Sequence, residues 1–110
     1  MIIDKKYLRQ KRKRRVRAKI SGSPGRPRFS LYRSHQALYA QFIDDEHHVV
    51  LVAKRIKGKN KEAARNLGKQ VIELAKGKGI STIVFDRNGY RYHGVLHELA
   101  QTLREGGLQF

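Results

Sequence analysis

The stretch DRNGYRYHG, from Asp86 to Gly94, gathers the side chains of this sequence that are best suited to bind a ligand. Two Arg, two Tyr and one His surround an Asn-Gly pair of the kind found in tight turns. Bases of single-stranded or looped RNA stack on aromatic rings and guanidinium planes, and Arg binds phosphates. The stretch therefore predicts an RNA-binding loop, although a turn whose Tyr rings pack on the core is compatible with the same pattern. The residues expected to select the RNA are Arg87, Tyr90, Arg91, Tyr92 and His93.

A basic arm at the N-terminus is the second candidate for binding. Residues 1–28 hold twelve of the twenty-five Lys and Arg residues but one acid, Asp4, and the whole chain has a formal net charge of +16. Such an asymmetry indicates a polyanionic partner, either nucleic acid or an anionic membrane surface. A membrane-binding helix needs a wide apolar face, which Leu8, Val16 and Ile20 do not supply. We therefore expect nucleic acid and no membrane. The arm residues predicted to neutralise its phosphates are Arg9, Lys11, Arg12, Lys13, Arg14, Arg15, Arg17, Lys19, Arg26 and Arg28.

The pattern of Pro and Gly divides the chain into an arm and a body. Asp4 is placed to cap a helix in the arm, but like charges three and four residues apart repel, so the arm alone should be largely unfolded. The segment SGSPGRP, from Ser21 to Pro27, then predicts an extended linker. We expect residues 1–27 to form the arm with its linker and residues 28–110 to form an α/β domain.

The apolar periodicity of the body predicts a β-β-β-α-β-α order. The first three strands have short polar connections and suit an antiparallel meander, whereas a helix that leads into a buried strand implies a parallel crossover. The fold class is therefore α/β with a mixed sheet. The predicted strands are Phe29–Arg33, Ala37–Ile43, Val49–Ile56 and Ile80–Phe85, the last of them buried on both faces, and the predicted helices are Glu62–Lys76 and Val95–Glu105.

Packing in the core accounts for only one face of the second strand. Leu38, Ala40 and Phe42 form an apolar face, and the opposite face carries Tyr39, Gln41 and Ile43. This second face is either covered or a binding surface. A second RNA-binding cluster is predicted around this strand, at Arg33, Ser34, His35 and Gln41.

Catalytic and metal sites are not expected. The nine acids include no two on strands that would hold a metal between them, since Asp44, Asp45 and Glu46 are consecutive in a turn. His93 and His97 lack the intervening Glu of a zinc-protease helix. We expect no enzyme, cofactor, metal or small-molecule substrate. The Lys residues of the loop 57–61 are either solvated or in contact with RNA.

Four blocks of the sequence carry a resemblance to a known family. They occur in the family's order and spacing, behind a basic arm of the same kind, and closely resemble the bacterial large-subunit ribosomal protein family numbered eighteen (universal L18). The blocks are RPRFSLYRS at 26–34, YAQFIDD at 39–45, NKEAARNLGKQV at 60–71 and VFDRNGYRYHGVLHELAQTLREGGLQF at 84–110. Asn88, where a Gly is more usual, and Val95, where a basic residue is more usual, depart from the pattern.

The resemblance implies the function and setting of the chain. It implies a ribonuclease-H-like motif, binding to 5S rRNA with help from the arm, contact with 23S rRNA, and a structural role in the central protuberance of the 50S subunit beside the ribosomal protein numbered five. The absence of Cys and of a ~20-residue apolar run agrees with a cytoplasmic location in the ribosome.

Overall fold

The computed structural model describes residues 5–17, 20–90 and 94–110. Its four strands form one sheet in the order β3-β2-β1-β4, in which β1 pairs parallel with β4 and the other neighbours are antiparallel. The predicted mixed α/β fold and its order of elements are confirmed. The elements are α1 (Lys5–Arg17), β1 (Arg28–Arg33), β2 (Ala37–Asp44), β3 (Val49–Lys57), α2 (Lys61–Gly77), β4 (Val84–Asp86) and α3 (Val95–Glu105).

The helices α2 and α3 supply the core that covers one face of the sheet. Asn60 caps α2 by accepting a hydrogen bond from the N–H of Ala63 at 2.8 Å. The two helices approach closely at Gly68, where an added Cβ would lie 2.8 Å from the Cγ2 of Thr102. Alternate side chains of the meander face this layer. The largest fully buried apolar side chains are Phe29, Phe42, Leu31, Leu38, Leu67, Ile83, Leu99, Leu103 and Val71.

The fourth strand is shorter and less buried than predicted. It begins at Val84 and not at Ile80, because the main chain before Val84 pairs with Gln109. The N–H of Ile83 donates to the carbonyl of Gln109 at 3.0 Å, and the N–H of Gln109 donates to the carbonyl of Ser81 at 2.9 Å. β4 also lies at an edge of the sheet, so Val84 and Phe85 are only half-buried. The expectation of a strand buried on both faces was wrong.

The segment expected to be an extended linker is held against the body. Gly22 and Asp45 exchange hydrogen bonds, with the N–H of Gly22 donating to the Asp45 carboxylate at 2.6 Å. A Cβ at Gly22 would collide with the main chain of Ile43 and Arg28, so only Gly fits. Pro27 is fully buried. Gly22 and Pro27 therefore allow the segment to pack closely against the body, and the segment is not a free linker.

The helix α1 lies against the turn that follows β4. Arg9 donates from Nη1 to the carbonyl of Asn88 at 3.0 Å, and Arg12 donates from Nε to the carbonyl of Gly89 at 3.1 Å. A Cβ at Gly89 would lie 2.5 Å from the carbonyl oxygen of Arg9. In the described ranges, no helix is long and apolar enough to cross a bilayer.

Candidate nucleic-acid interface

Tyr90 is the best-defined side chain of the predicted loop. Its hydroxyl accepts a hydrogen bond from the N–H of Arg33 at 3.1 Å and donates one to the carbonyl of the same residue at 3.2 Å. The guanidinium of Arg9 lies 4.7 Å from the centre of its ring. Tyr90 therefore ties the loop to the end of β1 and to α1, as the packing interpretation of the loop expects. Arg91, Tyr92 and His93, also predicted to bind RNA, lie outside the described residues.

The turn before Tyr90 is built from Asn88 and Gly89. Both have positive φ angles, 53° and 78°, a combination that favours Asn and Gly. The buried carboxylate of Asp86 accepts the N–H of Asn88 at 2.8 Å. Asn88 is therefore a turn residue, and its backbone conformation is one that Asn tolerates better than most residues with a Cβ. Arg87, from the predicted loop, is half-buried beside this turn.

The arm's cations divide into two groups. Arg9 and Arg12 donate to the turn at 88–89, as described above, while Lys11, Arg14 and Arg15 are exposed. Lys13 is half-buried, and its Cβ approaches Gly89. The exposed side chains Lys11, Arg14 and Arg15 give α1 a positively charged surface. The Arg17 side chain and Lys19 lie outside what the structure describes.

Arg28 was predicted to bind phosphate, but its guanidinium lies between two carboxylates. Its side chain is 12% exposed, and it donates to Asp45 at 2.9 and 3.1 Å and to Asp86, which is fully buried, at 2.9 Å. Burial alone would lower the pKa of Arg28, but the hydrogen bonds and charges of Asp45 and Asp86 outweigh it and raise that pKa. This geometry favours a structural role. Arg26 is exposed and donates from Nε to the carbonyl of Ile83 at 3.4 Å.

The outer face of the sheet, opposite the helices, carries an aromatic and cationic row. Tyr32 is 49% exposed, and its ring centroid lies 5.9 Å from that of Tyr39. The guanidinium of Arg55 lies 5.7 Å from the Tyr39 ring centre and donates from Nε to its hydroxyl at 3.2 Å. The pairs Tyr32 with Tyr39 and Tyr39 with Arg55 are directly opposite each other in the sheet. We call these three residues the aromatic row.

The second predicted cluster is divided by the structure. Gln41 is exposed beside the aromatic row, because Tyr39 and Gln41 are two residues apart on one strand. His35 is exposed in the turn after β1. Ser34 is used by that turn, since its hydroxyl accepts the N–H of Ala37 at 3.1 Å. Arg33 is exposed and lines a separate cavity.

That cavity has a volume of about 550 Å³ and lies between the ends of β1 and β3 and the starts of α2 and α3. Its lining combines basic and apolar side chains with one aromatic ring. The lining residues are Leu31, Arg33, Lys59, Asn60, Lys61, Tyr90, Gly94, Val95 and Leu96.

The acidic turn after β2 has an internal role. The Asp44 carboxylate accepts the N–H groups of Glu46 and His47 at 3.0 and 3.3 Å and lies 2.7 Å from Nδ1 of His47. Burial tends to raise the pKa of Asp44, but the hydrogen bonds and charge of His47 and the Glu46 N–H lower it overall. The side-chain atoms of Asp44, Glu46 and His47 that are able to bind a metal ion lie within 4.8 Å of one another. The hydrogen bonds of Asp44 within the turn account for this arrangement without a metal.

Sequence reasoning missed Tyr32 and Arg55. Both lie in predicted strands, and the Tyr and Gln of the second strand had marked this face of the sheet. What brings the three residues of the row together is the pairing register, which sequence alternation alone does not fix.

Comparison with known proteins defines the class to which this fold and surface belong. Residues 3–110 match the family described as ribosomal L18 of archaea, bacteria, mitochondria and chloroplasts. The large ribosomal subunit protein uL18 of Clostridium perfringens is 49% identical, covering 97% of this chain and 96% of the relative. Those of Chloroherpeton thalassium and Clostridium kluyveri are 48% and 52% identical, with 96% and 97% of this chain covered and 96% of each relative.

The class is that of ribosomal structural proteins, which are not enzymes. The chain belongs to the ribosomal L18 family. It is a structural component of the large ribosomal subunit, its partners are rRNA and other ribosomal proteins, and its location is the ribosome, a cytoplasmic particle.

Proposed function

We propose that the chain binds 5S rRNA and helps to attach it to 23S rRNA in the central protuberance, beside the ribosomal protein numbered five. Residues 1–27 act as a basic arm and residues 28–110 as the 5S rRNA-binding domain. Membership of the L18 family supports this assignment.

The observation that carries the proposal is the aromatic row. The exposed ring of Tyr32, the half-buried ring of Tyr39 and the Arg55 guanidinium beside it provide planes on which unpaired bases stack. Gln41, exposed on the same face, adds a donor and an acceptor for base edges. The row therefore supplies contacts that depend on RNA shape and sequence.

The exposed cations of α1 supply a different kind of contact. Lys11, Arg14 and Arg15 bind phosphates, which positions the protein without reading sequence. Arg33, His35 and Arg87 extend the basic surface of the body, and Arg91, Tyr92 and His93 keep the role that the sequence predicts for them. Arg28 and Ser34 act inside the protein, where they fix the sheet and its first turn.

An equilibrium titration tests the proposal. The whole chain and a version lacking residues 1–25 are titrated with 5S rRNA and with an unrelated structured RNA, each at two salt concentrations. We expect the truncated chain to keep its preference for 5S rRNA and to show a shallower dependence on salt. Loss of the preference together with the arm would contradict the division of roles, and absence of any preference in the whole chain would contradict 5S rRNA binding.

Tyr32→Ala tests the aromatic row. Removing one stacking ring should weaken 5S rRNA binding by about 1–3 kcal/mol. Tyr32→Phe, which keeps the ring, is the matched control and should bind like the wild type. Equal affinities of the Ala and Phe variants would exclude stacking on Tyr32.

A further inference from the structure

The cavity between the strand ends and the two helix starts is not used by the contacts described so far. The turn at Gly58 is fixed by its N–H, which donates to the carbonyl of Gln36 at 2.8 Å. Tyr90 is fixed by its two hydrogen bonds to the main chain of Arg33. These walls are thus set by internal bonds, and the residues that the structure describes leave the space between them unfilled.

The lining has two chemical parts. Val95 supplies apolar surface over the buried side chains of Leu31 and Leu96, and Tyr90 adds an aromatic ring. Arg33, Lys59 and Lys61 supply three positive charges, and no acid lines the cavity among the residues that the structure describes. A ligand that suits both parts has a flat apolar group and a negative charge close to it.

The side chain of Asn60 does not compete for such a ligand. Its Oδ1 already accepts the N–H of Ala63 at 2.8 Å, which caps α2. The cations are differently placed, since Lys61 is exposed and Lys59 and Arg33 reach solvent. They can therefore turn toward phosphates at the mouth of the cavity.

We infer that this cavity receives one unpaired nucleotide of the bound RNA, turned out of its stack. The base lies against Tyr90 and Val95, above the buried Leu31. The phosphates on either side of it bind Arg33, Lys59 and Lys61. The inference rests on the proposed RNA-binding function and adds a specific site to it.

Size and charge favour this occupant over others. Pockets for small organic groups have volumes of about 300–1,000 Å³, a range that includes this cavity of about 550 Å³. An apolar side chain from a protein partner would leave three cations without counter-charges at the mouth. An unpaired base has no base pair to break, so turning a loop nucleotide out of its stack costs less free energy than turning out a paired one.

Val95→Trp tests the inference by filling the cavity. Val95 is half-buried at the start of α3 and lines the cavity, so the larger Trp side chain at this position extends into the cavity. Val49→Trp is the matched control, because Val49 is exposed at the opposite end of β3 from the cavity. Chemical probing of the unpaired bases of 5S rRNA, with affinity measured in parallel, gives the readout.

We expect one unpaired base to be protected by the wild type and by Val49→Trp and to be reactive with Val95→Trp. The other protections should be unchanged, and affinity should fall on the order of 5- to 150-fold, as for the loss of one stacked base. Identical protection by all three proteins would overturn the inference and leave the proposed function intact. Absence of all protection by the wild type would overturn both.

A charge-reversal pair covers the case in which Val95→Trp fails to fold. Lys59→Glu with Lys61→Glu should expose the same base, whereas Lys69→Glu with Lys76→Glu, on exposed positions of α2, should leave it protected. Equal effects of the two pairs would overturn the inference.

Discussion

Arg28 shows how one side chain can serve the fold when its type suggests a ligand contact. Its guanidinium joins a carboxylate of the turn after β2 to the last residue of β4. The carboxylates of Asp45 and Asp86 are thus brought together around the Arg28 guanidinium and not around a metal ion. The result is an internal ion-pair network that connects the linker, the meander and the edge strand.

Asp86→Ala should destabilise the protein strongly. It removes a fully buried carboxylate and leaves the Arg28 charge partly uncompensated, a change that costs about 3–5 kcal/mol for buried ion pairs. Urea unfolding at pH 7 measures the loss. Glu73→Ala, at an exposed position of α2, should change the free energy of unfolding by less than about 0.5 kcal/mol, and equal effects of the two variants would refute this account.

Asp44 gives the stability of the protein a dependence on pH. Its pKa is lowered below the usual 3.8 in the folded state, so the stabilisation is fully present above that pH and is lost as the pH falls through the folded-state value. Asp44→Asn should therefore be less stable than the wild type at pH 7, by a margin that shrinks at pH 3. Urea unfolding at both pH values measures the margin, which Glu46→Gln should not reproduce. A margin that grew on acidification would show that the sign is wrong.

Asn88 is expected to tolerate Gly but not Ala. Its φ of 53° costs a residue with an ordinary Cβ about 1–2 kcal/mol, and Gly pays no such penalty. Asn88→Ala should therefore lower the free energy of unfolding by about 1 kcal/mol, while Asn88→Gly should be close to neutral. Thermal unfolding of the two variants provides the comparison, and equal stabilities would contradict the role assigned to backbone conformation.

At the scale of elements, the contact between α2 and α3 depends on a small residue. Gly68 faces Thr102 and Leu99 so closely that an added Cβ would force the Thr102 side chain or the helices to shift. Gly is otherwise unfavourable within a helix by about 1 kcal/mol relative to Ala. Packing against α3 therefore decides this position, against the preference of the helix itself.

Gly68→Ala should destabilise the protein by about 1 kcal/mol, because overpacking outweighs the gain in helix propensity. Thr102→Ser removes the Cγ2 methyl group and keeps the hydroxyl that donates to the carbonyl of Glu98 at 2.9 Å. The double variant should recover most of the stability, giving a coupling of roughly 1 kcal/mol in a double-mutant cycle by urea unfolding. Additive effects would indicate that the two residues do not compete for space.

The sequence predicted the elements better than their partners. The amphipathic period of α2 and α3 and the alternation of β1 to β3 are local signals, so their bounds were predicted to within one or two residues. β4 was overextended because Ile80–Ile83 has the composition of a strand, and only the tertiary structure shows its main chain bonded to Gln109 instead. Arg28 and the aromatic row depend on register and long-range pairing, which composition cannot supply.

At the scale of the whole molecule, the charge asymmetry predicts how binding depends on salt. The exposed cations Lys11, Arg14 and Arg15 are free to contact phosphates without loss of the bonds that hold α1 to the turn at 88–89. Changing all three to Gln should reduce the slope of log affinity against log salt by about 2–3, since each contact contributes roughly 0.7–0.9. Titrations with 5S rRNA at several salt concentrations give the slope.

A matched set of neutralised cations provides the control for this prediction. Lys69, Lys76 and Lys78 are also exposed but lie on or just after α2, away from the arm. Their change to Gln should leave the slope nearly unaltered. Equal reductions in both sets would mean that only net charge matters and that the arm has no special place in binding.

The parallel pairing of β1 with β4 also bears on the order in which the chain is made. Arg28 of β1 is synthesised 58 residues before Asp86 of β4, with which its side chain forms an ion pair. At about 5–20 residues per second, β1 waits on the order of 3–12 s with one edge open. An open edge invites pairing with other chains, and flanking charges oppose it. Arg28 and Arg33 are the end residues of β1, and Arg26 lies two residues before it. We therefore expect these three charges to oppose aggregation of the nascent chain as well.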